Sequence, residues 1–145
     1  MEDVRKLIEE ALEKGYLMSL ATVDGAGPWA SLVVFIYDKD FNLYWLSLPT
    51  RRHSIAIEAD PRAAATITSV SKRDDEKIGL QVQGHAERVQ NVDPSVVEAY
   101  GRRMQKTSID GQIFAPGQAW YVFRPKKIDL IHQPLFGYDK KFLEL

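Results

Sequence analysis

Cysteine is missing from this 145-residue chain, which removes disulfide staples, thiolate nucleophiles and thiolate metal sites. Net charge is nearly missing too. The 19 Lys and Arg stand against 20 Asp and Glu, a formal −1, so no global field favours nucleic acid or an anionic membrane surface. No apolar run approaches the roughly 20 residues that a membrane helix needs. The opening MEDVRKLIEEALEK is charged throughout, unlike a signal peptide or an anchor. Together these absences predict a soluble cytoplasmic protein with no nucleic-acid or membrane partner. The three histidines, His53, His85 and His132, fall in separate predicted elements. No His-x-x-x-His or carboxylate spacing points to a metal site, and none is expected. A Gly-x-Ser-x-Gly elbow and a phosphate P-loop are absent, and Gly25-Ala26-Gly27 is too short for a dinucleotide loop. Catalytic residues therefore stay unassigned.

What is present reads as one domain over residues 1–145, long enough to bury a core. Asp3 predicts a helix cap, with Val4, Leu7, Ile8, Ala11 and Leu12 on one face and Gly15 as the stop. Strands follow at 16–23 and 28–37. The second, WASLVVFIY, is apolar on both faces and so is predicted to be buried on two sides. Further strands are expected at 43–46, 63–70 and 78–89, with Gly84 marking a bulge. Asp93-Pro94 opens a helix running to about Lys106, and an irregular stretch covers 107–118. A strand at 119–124 is interrupted by Pro125 and resumes over 126–131, before a loop and a last short strand. This order predicts a mainly β, small barrel with decorating helices, and excludes an alternating parallel α/β pattern.

The most informative stretch is Leu43 to Pro61, LYWLSLPTRRHSIAIEADP. A strand ends at Pro49 in a polar turn, and a helical segment with Ile55, Ala56 and Ala59 follows until Asp60-Pro61 stops it. Ser47, Thr50 and Ser54 supply hydroxyls, and Arg51, Arg52 and His53 supply cationic or potentially cationic groups. Charge-assisted donors at a helix start suit a phosphate monoester. A solvated basic turn has the same composition.

This stretch resembles the pyridoxamine 5′-phosphate oxidase-like family of FMN-binding split β-barrels, in particular its small general-stress bacterial branch. Ser47 stands at that family's hydroxyl position, Arg52-His53 at its cationic position and Asp60-Pro61-Arg62 at its closing position. His53 departs from the commoner Lys. The resemblance implies a split β-barrel that binds FMN, with the phosphate on Ser47, Thr50, Arg52 and His53. It implies a flavin ring running along Ser31, Leu32, Val33 and Val34. It also implies a homodimer with the cofactor between subunits, and an oxidoreductase acting on a small molecule. Because some relatives bind haem or deazaflavin, a non-catalytic flavin or haem binder or sensor is the alternative. True pyridoxamine 5′-phosphate oxidase activity is not expected, since the chain ends Phe-Leu-Glu-Leu instead of Arg-Leu-x-Pro.

Overall fold

A computed structural model describes residues 3–70, 72–73, 75–104 and 116–145. Asp3 caps helix α1 (Val4–Lys14), its carboxylate accepting from the N–H groups of Arg5 and Lys6, and Gly15 closes the helix. The predicted stripe of Leu7, Ile8, Ala11 and Leu12 is buried, as an amphipathic helix laid on a sheet requires.

Strands β1 (Leu17–Asp24) and β2 (Gly27–Val34) form an antiparallel hairpin paired as far as Asp24 and Gly27. Then come β3 (Ile36–Tyr37), β4 (Leu43–Ser47), helix α2 (Arg52–Ala59), β5 (Arg62–Thr68) and β6 (Ile78–Val89). Helix α3 (Pro94–Arg103), β7 (Ala119–His132), the short α4 (Gln133–Phe136) and β8 (Lys141–Glu144) complete the chain. All eight strands join one antiparallel sheet in the order β2-β1-β5-β6-β7-β4-β3, with β8 alongside β7. The sheet curls until β2 touches β4. The result is the expected mainly β split barrel with decorating helices. Its interior is filled by alternating residues such as Met18, Leu20, Ala65, Ile67 and Val82, and Trp45 stacks on Tyr121 at 5.7 Å between centroids. Offset aromatic pairs of this kind contribute about 0.5–1.5 kcal/mol beyond their burial.

Three expectations are corrected by the structure. The second strand is not one long strand buried on two sides. It ends at Val34, and β3 resumes by pairing with β4, so the chain changes partner at Phe35. Being the sheet's edge, β2 leaves Pro28, Trp29, Ala30 and Leu32 exposed. Pro125 does not interrupt β7, which is continuous. It lies between the residues that pair with β4 and those that pair with β8, opposite the bulge at Gln83/Gly84. The missing N–H of proline therefore falls where no outer ladder needs it. Gly84 is the residue that permits this approach, since a Cβ there would lie 2.1 Å from the Arg124 carbonyl oxygen. Finally, α3 ends at Arg103 instead of near Lys106; residues 105–115, most of the predicted irregular stretch, lie outside the described residues.

Arg103 ends α3 with its side chain turned inward. Its guanidinium donates to three carbonyls, Phe35 at 2.9 Å and Leu12 and Glu13 at 3.1 Å each. It thereby satisfies the open C-terminal end of α1 and the break between β2 and β3.

Candidate functional site

The turn between β4 and α2 is short and fixed by the backbone: the Arg51 N–H donates to the Leu48 carbonyl at 3.1 Å, and Ile55 N–H to Arg51 at 3.0 Å. Arg51 is the N-cap residue of α2, and no side chain caps the helix among the described residues. Its first turn holds no acidic residue. The first N–H groups of an α-helix have no partner within the helix and carry its positive dipole end. At α2 they sit among exposed Thr50, exposed Arg51 and half-buried Arg52.

The predicted phosphate residues separate into two layers. Ser47 and His53 are buried, and Ser47 Oγ meets His53 Nε2 at 2.9 Å. Burial, and then the neighbouring Arg51 charge, lower the His53 pKa below its usual value. Of the two states open to a potentially cationic His53, its burial beneath the turn favours the neutral one, because desolvation disfavours the imidazolium. Thr50 and Arg52 form the outer layer, and Arg51, which is not among the predicted phosphate residues, lies exposed between them.

Arg52 carries an ion pair that sequence reading did not anticipate. Its Nε donates to Asp24 Oδ2 at 2.8 Å and its Nη2 to Asp24 Oδ1 at 3.1 Å. The guanidinium also lies over the Trp29 ring, 4.4 Å from the centroid. The Arg52 hydrogen bond pulls the Asp24 carboxyl below the ordinary carboxylate range. Asp24 ends β1 at the hairpin tip, which carries the only prior signal for it, a turn-forming Asp-Gly. The closing Asp60 is likewise held down to about 2 by its hydrogen bonds from Arg62.

The four ring candidates do not share one face. Ser31 and Val33 point inward with Leu20 and Met18 opposite them, Leu32 points outward, and Val34 is partly buried against the core. Leu32 is 72 % exposed. Ser31 Oγ is buried without a partner among the described residues, and such an orphan hydroxyl costs about 1–3 kcal/mol. Within β2, Trp29 is the residue whose ring lies beneath the Arg52 guanidinium at the start of α2. On the outer face of the sheet, a groove of about 580 Å³ is lined by small residues, Ser19, Ala21, Ala30 and Ala64, and by Gln81 and Gln83. Gln81 accepts from Lys140 Nζ at 2.9 Å. Among the described residues, no three His, Asp or Glu side chains cluster to hold a metal, and no helix is long and apolar enough to cross a membrane.

The donor set fits a phosphate-bearing cofactor. The start of α2 has no side-chain cap, and a hydroxyl (Thr50) and two arginines (Arg51 and Arg52) lie within two residues of it, Thr50 and Arg51 exposed and Arg52 half-buried.

Comparison with known proteins supports the same family. Three solved structures share the fold. A haem binding protein from Mycobacterium smegmatis superposes with a TM-score of 0.74 at 17% identity, over 99% of this chain and 59% of that one. General Stress Protein 26 from Bacillus anthracis gives 0.69 at 18% identity, over 98% of both chains. An FAD-binding protein from Mesorhizobium loti gives 0.64 at 12% identity, over 83% of this chain and 87% of that one. No curated protein matches the sequence. The family model described as pyridoxamine 5′-phosphate oxidase matches residues 4–132, nearly all of the barrel, and the chain therefore belongs to the pyridoxamine 5′-phosphate oxidase family of split β-barrels.

Proposed function

We propose that residues 1–145 act as one FMN-binding domain of an oxidoreductase for a small molecule. The observation that carries this reading is the start of α2, left uncapped and flanked by Arg51 and Arg52. In this reading Thr50, Arg51 and Arg52 hold the phosphate, and Ser47 with His53 braces the turn from below. Ser31 to Val34 border the ring through the backbone edge of β2, the buried Ser31 hydroxyl lying behind it. When bound, FMN supplies the electron-transfer chemistry, while the protein supplies orientation and electrostatics. That division agrees with a sequence that offers no acid–base or nucleophile motif.

The reading includes a homodimer with the cofactor between subunits. Its support is the outer face of β2-β1-β5-β6, where exposed Leu32 stands beside a groove floored by alanines. Apolar, weakly charged surface of this kind characterises interface cores. Sedimentation should find a dimer at micromolar concentration.

The deciding measurement is a titration of FMN and riboflavin against wild type and Arg52→Ala, read by flavin fluorescence. FMN should weaken by about 10–100-fold, the loss of one or two charge-assisted bonds after allowing for the Asp24 pair. Riboflavin, which lacks the phosphate, should be indifferent. Equal responses of the two ligands would show that the turn is merely solvated. A second reading, a non-catalytic haem carrier or sensor, is favoured by the likeness to the mycobacterial haem binding protein. The visible spectrum of the freshly purified protein separates flavin from haem directly.

A further inference from the structure

Arg52 meets a ligand with one of its two bidentate edges already taken. A guanidinium makes its strongest contacts through two parallel N–H donors, and the Nε–Nη2 edge of Arg52 already holds both oxygens of Asp24. Trp29 covers one face of the same group. The carboxylate is itself anchored, because Asp24 Oδ1 also accepts from the Ala26 N–H at 2.9 Å within the hairpin tip. The pair is nonetheless open to solvent, with the Arg52 and Asp24 side chains 35% and 27% exposed.

Resting on the phosphate-cradle reading above, we propose that Asp24 is the specificity-determining residue of the cradle, a built-in carboxylate that competes with the ligand's phosphate for Arg52. A carboxylate presents two oxygens in a plane and so mimics two of the three terminal oxygens of a phosphate monoester. It cannot reach the N–H groups at the start of α2 with a third. A phosphate therefore displaces Asp24 only when it engages Arg52 and the helix start together. A ligand carrying a lone carboxylate gains nothing by the exchange. The charge count leads the same way. Arg51, Arg52 and Asp24 sum to +1 beside a neutral His53, against +2 without Asp24, so the carboxylate weakens a phosphate near −2 more than a monoanion.

The test uses Asp24→Asn, which keeps the Oδ1 acceptor for Ala26 and the shape of the side chain while removing the charge. Apo-protein of wild type, Asp24→Asn, Arg52→Ala and the double variant is titrated with FMN and riboflavin by flavin fluorescence, with inorganic phosphate as competitor. Asp24→Asn should tighten FMN by about 10-fold and make inorganic phosphate a better competitor, with riboflavin unchanged. The gain should vanish in the Arg52→Ala background. Asp24→Ala, read in parallel, should tighten FMN in the same direction if the hairpin tolerates the loss of its Ala26 bond. FMN affinity that is unchanged or weaker in Asp24→Asn, while Arg52→Ala still weakens FMN, overturns the competition and leaves the cradle standing. FMN affinity indifferent to Arg52→Ala overturns both.

Discussion

Helix α2 begins on Arg51, whereas α1 and α3 begin on Asp3 and Asp93. The difference is local chemistry at the same kind of position. Asp3 accepts from the N–H groups of Arg5 and Lys6, and Asp93 from that of Ser95. In α1 and α3 the chain thus finishes its own helix starts. At α2 the N-cap residue has the extended backbone a cap requires, φ −69° and ψ 148°, yet brings a cation in place of an acceptor. An N-cap Ser, Thr, Asp or Asn commonly adds about 1 kcal/mol of stability. The fold forgoes that contribution at one of these three helices only, the one that follows β4 and faces the β1–β2 hairpin. A helix start left unfinished in this way is suited to an anion, which is the role proposed for it above.

The comparison breaks most sharply if α2 is given the cap it lacks. Arg51→Asp removes a cation and seats a carboxylate on the N–H groups in question. FMN should weaken by at least about 100-fold, while the melting temperature of the apo-protein rises by about 3 °C. Fluorescence titration and a thermal melt read the two effects independently. Retained FMN affinity would remove the helix start from the site. The converse substitutions, Asp3→Ala and Asp93→Ala, sharpen the contrast. Each should lower the melting temperature by about 3 °C and leave FMN binding where it was. A change in FMN affinity from either would mean that cap chemistry acts on the cradle indirectly.

A smaller effect tests the layer beneath the turn. The His53 pKa is lower in the folded chain than in the unfolded one, through burial first and Arg51 second. The unfolded state then takes up the proton more readily, so the contribution of His53 is whole above about pH 6.5 and is lost as pH falls towards the folded value. Between pH 7 and pH 5 the melting temperature should therefore drop further in wild type than in His53→Asn, by about 1–2 °C. An identical drop in both would show that the Ser47–His53 pair does not sense pH.

How far the sequence reached depended on the range of the physics involved. Asp3, Gly15 and Asp93-Pro94 act on their immediate neighbours, and each helix they predict is present. The period-2 pattern at 78–89 and the bulge at Gly84 were legible for the same reason, and the family assignment came from the spacing of Ser47, Arg52 and Asp60-Pro61-Arg62. Coverage was not legible. An apolar pattern such as WASLVVFIY reports what a strand offers for burial, not whether a second layer lies over it, so the exposure of Leu32 was missed. Pro125 looked like a break because the gap between β4 and β8 exists only once both are docked on β7. Asp24 and Arg52 are 28 residues apart, and nothing in either local pattern announces the pair. The charge state of His53 depends on burial by elements distant in sequence, so its local pattern could mark it only as potentially cationic.

The inward guanidinium of Arg103 has a further consequence. One side chain from the end of α3 serves the last carbonyls of α1 and the Phe35 carbonyl at the strand break. When α3 lifts, those carbonyls lose their donor at the same moment, so the three segments are expected to open as a single cooperative unit. In native-state hydrogen exchange their slowest amides should share one opening free energy and one denaturant dependence. The β5–β6 ladder, joined to none of them through Arg103, should retain its own.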